Sequence, residues 1–204
     1  MRAAVLINAG AGTAASRGDA ALREEVAALC RELGLSAEVK TVLSSDLQRE
    51  LARAVGQRET EVVIVGGGDG TIRTGAAVLA GSGKAMGVIP LGTLNHFARD
   101  LKMPLELKEA LAAIANGAVR EVDVAEVNGE TFVNNCSIGL YAEAVLVRER
   151  LRRHGGLAKW PAMAVGAWRA LRRFRVSRLW LRSPEWSLSL RTPQLVIGNN
   201  RGGD

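Results

Sequence analysis

The stretch Gly66-Gly67-Gly68-Asp69-Gly70-Thr71 has the makings of a phosphate site. It follows the fully apolar run Val62-Val63-Ile64-Val65 and opens a helical pattern. Glycines admit positive φ and let backbone N–H groups come close to phosphate oxygens. A helix start adds unpaired N–H groups and the positive end of the helix dipole. Thr71 can donate a hydroxyl hydrogen bond. Asp69 repels phosphate directly, so its natural use is through Mg2+ or as an acceptor that orients the loop. The alternative is a glycine-rich turn that only links strand to helix. Neither common phosphate signature fits. The Walker pattern needs Gly-Lys-Ser/Thr, and no lysine stands beside Gly70. The dinucleotide pattern puts its glycines at the first βα turn, with an acid about twenty residues later. The first turn here, Asn8-Ala9-Gly10-Ala11-Gly12-Thr13, is glycine-rich but differently spaced. It is open between nucleotide contact and plain loop.

A second string is Pro90-Leu91-Gly92-Thr93-Leu94-Asn95-His96-Phe97-Ala98-Arg99. It also follows an apolar strand pattern, so it belongs at the same edge of a sheet. Thr93 and Asn95 offer a hydroxyl and an amide, and Arg99 stands one helical turn further on. The alternative is a strand-to-helix turn with Asn95 as the helix cap.

Elements that could position these residues are legible in the hydrophobic spacing. Strands are expected at Ala3 to Ile7, Ser36 to Val42, Glu61 to Val65 and Ala85 to Ile89. Helices are expected at Asp19 to Leu33, Asp46 to Val55, from the glycine turn to Ala80, and Leu107 to Asn116. This alternation implies an open α/β fold with a parallel sheet, which binds ligands at the carboxyl ends of its strands. After Arg120 the pattern changes. Glu121 to Glu126 and Glu130 to Asn134 flank an Asn128-Gly129 turn, a hairpin signal. Tyr141 to Arg153 and Leu157 to Phe174 look helical, whereas Arg175 to Leu181, Ser187 to Arg191 and Gln194 to Ile197 look extended. Two domains are expected, 1–120 and a strand-rich 121–204. The sequence stops just past a strand, on Asn199-Asn200-Arg201-Gly202-Gly203, so the second domain is expected to be incomplete.

The chain has 204 residues, 48% of them apolar and 24% charged, which excludes wholesale disorder. Cys30 and Cys136 lack metal-ligand spacing and fit free thiols in a reducing cytosol. There is no signal-peptide pattern and no spanning apolar stretch. The net charge of +6 is concentrated: Arg148 to Arg178 holds ten Lys or Arg against the one acid Glu149. A segment of that kind attracts phosphates on lipids, nucleotides or nucleic acid.

Together, Gly67 to Thr71 and Pro90 to Arg99 resemble the diacylglycerol kinase catalytic domain family, which includes bacterial lipid kinases and sphingosine and ceramide kinases. Val122-Asp123-Val124, Phe132 to Gly139 and Gly198 to Gly203 are similar to later family segments, in the same order. The resemblance implies ATP as donor, Mg2+ as cofactor and a lipid hydroxyl, such as that of diacylglycerol, as acceptor. It implies a Rossmann-like three-layer domain followed by a β-sandwich-like domain, with the active site between them. Carried over, Gly67, Gly68, Asp69, Gly70 and Thr71 would cradle the phosphates, with Thr93 and Asn95 in the nucleotide site. Asn8, Gly10 and Gly12 stand in the family's first nucleotide loop, where Ala9 replaces a proline. Thr41 matches a further nucleotide-contacting threonine. Asp69 and Asp123 match acids that organise Mg2+ and water. His96 stands where many bacterial members carry Asp, and Ile72-Arg73-Thr74 where many carry Ile-Asn-Glu. The family's catalytic base lies in a late Asp-Gly segment, expected beyond Asp204.

Between Leu157 and Phe174, Leu157, Trp160, Val165, Trp168 and Leu171 interleave with Lys159, Arg169, Arg172 and Arg173. Such a helix suits an anionic membrane interface; the alternative is a helix packed on its own domain with a solvated basic face. The expected protein is a cytoplasmic lipid kinase, peripheral to the inner membrane face and serving phospholipid biosynthesis, with lipid and not nucleic acid as partner. A homo-oligomer is compatible. An NAD kinase-like enzyme and a non-catalytic nucleotide- or lipid-binding module are the alternatives.

Overall fold

The computed structural model describes residues 1–12, 18–139 and 176–199. The helices expected at 141–153 and 157–174, and the final Asn200 to Gly203, lie outside the described residues. Two compact units emerge, Met1–Asn134 with the chain from Asn199, and Asn135–Gly198.

The first unit holds β1 (Arg2–Asn8), α1 (Asp19–Glu32), β2 (Ser36–Val42), α2 (Leu47–Gly56), β3 (Val62–Gly67), α3 (Asp69–Leu79), β4 (Ala85–Pro90), α4 (His96–Asp100), α5 (Leu107–Asn116), β5 (Ala125–Val127) and β6 (Glu130–Phe132). The first four strands form a parallel sheet in the order β2-β1-β3-β4. Alternate residues of each strand face opposite sides of a sheet, and here both sides are covered. Ala4, Leu6, Val63, Val65 and Val88 pack with Leu51, Ile72, Ala76 and Phe97 on one side. Ala3, Val5, Ile7, Ile64 and Ile89 pack with Leu22, Val26, Cys30 and Leu111 on the other. That double burial explains why β3 reads as a continuous apolar run. It also pushes the pKa of the Cys30 thiol up, because burial penalises the thiolate.

The β5–β6 hairpin turns on Asn128 and Gly129, both with positive φ. It belongs to the first unit, as does the buried Val133. The compact units therefore divide at Asn134, beyond the expected boundary at 120. The physical reason is that Val133 joins the core beside Phe97 and Ala98, and Arg73 of α3 pairs with Glu130 of β6 at 3.0 Å.

The second unit contains β7 (Asn135–Gly139), β8 (Ser177–Arg182), β9 (Ser187–Thr192) and β10 (Gln194–Gly198). Here β7 pairs with β10 and β8 with β9, both antiparallel. The sequence reading anticipated β8, β9 and β10 but ended the preceding strand at Asn134, so β7 was missed. None of the described residues of this unit is fully buried.

Candidate functional site

From β1 the chain runs through α1 on one side of the sheet, and from β3 through α3 on the other. Since β1 and β3 are adjacent, their carboxyl ends flank the place where the connections diverge, the usual ligand crevice of such a sheet. Asn8 ends β1 and Gly67 ends β3. Between them lies a cavity of about 300 Å³, lined by Asn8, Gly10, Ser44, Leu47, Gly68, Asp69, Gly70, Thr71 and Thr74.

Asn8 is the brace of this cavity. It is buried, and its Nδ2 donates to Thr71 Oγ1 at 2.8 Å. Its Oδ1 accepts from the Gly10 N–H at 3.2 Å and from the Ser44 hydroxyl at 3.0 Å. One amide thus ties the ends of β1 and β2 to the start of α3. The turn after β3 is equally constrained. A Cβ on Gly67 would stand 2.5 Å from Thr71 Cβ, Cγ2 and Oγ1, so only glycine lets the helix begin there. The Ile72 N–H bonds to the Gly68 carbonyl at 3.0 Å. The N–H groups of the residues before Ile72 have no helical acceptor behind them. These donors and the helix dipole meet at the cavity, as does the Asp69 side chain, whose Oδ1 is buried without a hydrogen-bond partner.

The loop after β4 closes on itself. Asn95 has φ 51 and is buried. Its Oδ1 accepts from the Gly92 N–H at 2.9 Å, and its Nδ2 donates to the Gly92 carbonyl at 2.8 Å. It precedes α4 but makes no side-chain cap to it, so the capping alternative is corrected: the amide serves its own loop. Gly92 in turn backs onto the first motif, where an added Cβ would lie 2.6 Å from Gly68 Cα.

Of the residues the sequence singled out, Asn8, Gly10, Gly68, Asp69, Gly70 and Thr71 line the cavity. Gly67 is buried beneath it. Gly12 and Thr93 adjoin one another, a Gly12 Cβ falling 4.0 Å from Thr93 Oγ1, but neither lines the cavity, and nor do Asn95 and Thr41. Thr41, beside Ile7 in the sheet, keeps a buried hydroxyl without a partner. Asp123 is exposed, and its carbonyl accepts from Asn199 Nδ2. Among the described residues no three His, Cys, Asp or Glu side chains are grouped to hold a metal ion. His96 is exposed at the start of α4.

Residues 2–127 match the family described as the diacylglycerol kinase catalytic domain. The chain belongs to this family. A relative from Pectobacterium atrosepticum named "Probable lipid kinase YegS-like" is 28% identical over 191 residues, covering 91% of this chain and 63% of that protein. The Bacillus subtilis "Diacylglycerol kinase" is 39% identical over 95 residues, 45% of this chain and 31% of that protein. A crystal structure titled as a diacylglycerol kinase from Bacillus anthracis str. Sterne has a TM-score of 0.69 at 21% identity, covering 97% of this chain and 64% of that one. A second structure from the same organism reaches 0.73 at 20% identity. The chain therefore has the fold of those structures, and it spans less than two thirds of the relatives' lengths.

Within this family member, sequence reasoning missed Ser44, Leu47 and Thr74. Ser44 could have been found from its position: it follows β2, at the same sheet edge as Asn8 and Gly67. Thr74 stands one turn beyond Gly70, whose carbonyl its hydroxyl bonds at 3.1 Å, and so shares the cavity face.

Proposed function

We propose that this chain carries the ATP-binding part of a lipid kinase that moves the γ-phosphate of ATP to a lipid hydroxyl such as that of diacylglycerol. The cavity at the switch point supports this most directly, because the glycine turn and a helix start converge there, lined by Asp69, whose Oδ1 is buried without a hydrogen-bond partner. Membership of the diacylglycerol kinase family supplies the reaction class.

The phosphates would rest on the N–H groups of Gly70 and Thr71, where the dipole of α3 favours negative charge. Thr71 Oγ1 already accepts from Asn8, so its proton is free to be donated to a phosphate oxygen. Asp69 fits a Mg2+ ion or its water, since a buried acceptor without a donor needs a cation or a water to satisfy it. Bound there, Mg2+ would neutralise charge on the transferred group. The protein's own work is to hold these groups still, and the Asn8 brace and the Gly68–Gly92 contact do that. The acceptor lies in a bilayer, so the protein works at a membrane face, with Leu157 to Phe174 as one contact. Among the described residues no helix is long and apolar enough to cross a membrane.

The test is transfer of label from γ-labelled ATP, with Mg2+, to vesicles containing diacylglycerol. Labelled phosphatidic acid is the expected product. Label on NAD instead would favour the NAD kinase-like reading. Binding of ATP·Mg2+ with no label on any extracted lipid would favour a non-catalytic nucleotide-binding module.

A further inference from the structure

The β8–β9 hairpin presents two unlike faces. Its register sets Arg178 opposite Arg191, Trp180 opposite Ser189, and Arg182 opposite Ser187. These residues share one face, and Leu179, Leu181, Leu188 and Leu190 share the other. Arg178, Arg182 and Arg191 are all exposed, and Trp180 between them is 66% exposed. Among the described residues none of the three arginines has a salt bridge or a side-chain hydrogen bond. At the turn end, the Ser183 N–H bonds to the Trp186 carbonyl at 2.8 Å.

Like charges directly opposite one another destabilise a strand pair. Arg178 and Arg191 do so with no acid between them, and within 176–199 the one acid is Glu185, in the turn. An exposed tryptophan flanked by unpaired arginines is therefore not explained by the stability of the hairpin. It has the chemistry of a surface that meets phosphates beside an apolar layer. Arginine binds phosphate oxygens as a planar fork, and tryptophan favours the headgroup level of a bilayer.

We propose that the Arg178, Trp180, Arg182, Arg191 face of the β8–β9 hairpin docks on an anionic lipid bilayer. The proposal rests on the lipid-kinase reading for its occupant. It assigns membrane contact to residues other than Leu157 to Phe174. Nucleic acid is the weaker occupant, because a lone tryptophan offers no run of aromatic platforms for successive bases and the serines on this face are too short to reach base edges. A bilayer accommodates both features.

The experiment is co-sedimentation of the whole chain with phosphatidylcholine vesicles, with and without phosphatidylserine, in the absence of ATP and diacylglycerol. The wild type is expected to partition onto the phosphatidylserine vesicles. Each lost arginine weakens that partition roughly fivefold, so R178Q/R182Q/R191Q loses on the order of a hundredfold. R178K/R182K/R191K retains most of it, and W180A weakens it without changing its dependence on phosphatidylserine. Because the arginines repel one another, the glutamine variant melts no lower than the wild type, which a structural role would not allow. Partition of the glutamine variant equal to that of the wild type, with Lys159, Arg169, Arg172 and Arg173 still present, overturns the proposal. So does a wild type that prefers duplex DNA or RNA to the anionic vesicles. Since no phosphate is transferred in this assay, absence of kinase activity would sink the catalytic reading and leave vesicle binding to be judged by itself.

Discussion

The loops after β3 and β4 begin alike and end differently. Each follows a buried parallel strand, each carries glycine, and each reads from sequence as a nucleotide contact. The first leaves helix N–H donors and the Thr71 proton at a cavity, and leaves Asp69 Oδ1 buried without a partner beside it. The second uses up its amide internally, because Asn95 bonds both backbone groups of Gly92. Residue type tells which groups are available for a ligand, whereas only the fold tells which have already been satisfied. Buried polar groups find partners wherever they can, so an open one is the more informative.

The comparison breaks hardest at Gly67. The Cβ of Gly67→Ala would sit 2.5 Å from the Thr71 Cβ, an atom that no side-chain rotation can move away. The start of α3 must shift, and with it every donor facing the cavity. ATP affinity is expected to fall on the order of a hundredfold, the scale of losing one hydrogen bond to a charged group at about 3 kcal/mol. Overpacking should lower stability by about 1–3 kcal/mol. Isothermal titration with ATP and a thermal melt would check both. An alanine variant that binds ATP normally would show that the helix start does not hold the nucleotide.

Asn95 probes the other loop. Asn95→Ala removes two half-buried hydrogen bonds and leaves alanine at φ 51, a left-handed conformation that costs it about 1–2 kcal/mol. With the lost bonds, destabilisation of about 2–4 kcal/mol is expected. Asn95→Gly relieves the backbone but not the bonds, so it should recover about half the loss in urea denaturation. ATP affinity should change far less than in the Gly67 variant. A large affinity loss at unchanged stability would make Asn95 a ligand contact after all.

Most of the sheet was legible because burial on both faces writes itself into sequence as unbroken apolar runs, as at Val62 to Val65. Leu107–Asn116 and Ser36–Val42 fell where periodicity put them. Motif spacing placed Gly68 to Thr71 at the cavity, since a strand–glycine–helix order leaves them nowhere else. Three features were not legible. The role of Asn8 as a brace depends on Thr71, 63 residues away in sequence, and on Ser44, 36 residues away. The strand β7 is partly exposed and lacks an apolar run, so local pattern did not separate it from the hairpin before it. The attachment of that hairpin to the first unit rests on Val133 reaching a core formed by residues far earlier in the chain.

Asp69 sharpens the contrast because it separates stability from binding. Its Oδ1 has no donor, so Asp69→Asn removes no hydrogen bond from that atom. The free energy of unfolding should stay within about 0.5 kcal/mol of the wild type, as for substitutions that disturb no buried contact. ATP binding in the presence of Mg2+ should weaken about tenfold, while binding in excess EDTA should hardly change, the coupling expected when one carboxylate helps to hold the ion. Equal losses with and without Mg2+ would make Asp69 an organiser of the loop.

The smallest effect belongs to Arg73, which lies on α3 just past the glycine turn. Its guanidinium pairs with Glu130 at 3.0 Å, and the two side chains are 50% and 72% exposed. An ion pair so open to water contributes at most about 1 kcal/mol. Arg73→Ala should therefore lower stability by no more than that, with the loss shrinking in 0.5 M salt, and should leave ATP affinity within about twofold. The variant decides what the charge on this helix is for. If Arg73 reached a phosphate, removing it would cost affinity and the cost would grow at low salt, because an unpaired cation near a polyanion acts at longer range than a surface pair. Its observed partner is instead a carboxylate on the hairpin that the first unit holds. The open donors of the first loop therefore belong to the backbone and Thr71, and the Arg73 side chain is committed elsewhere.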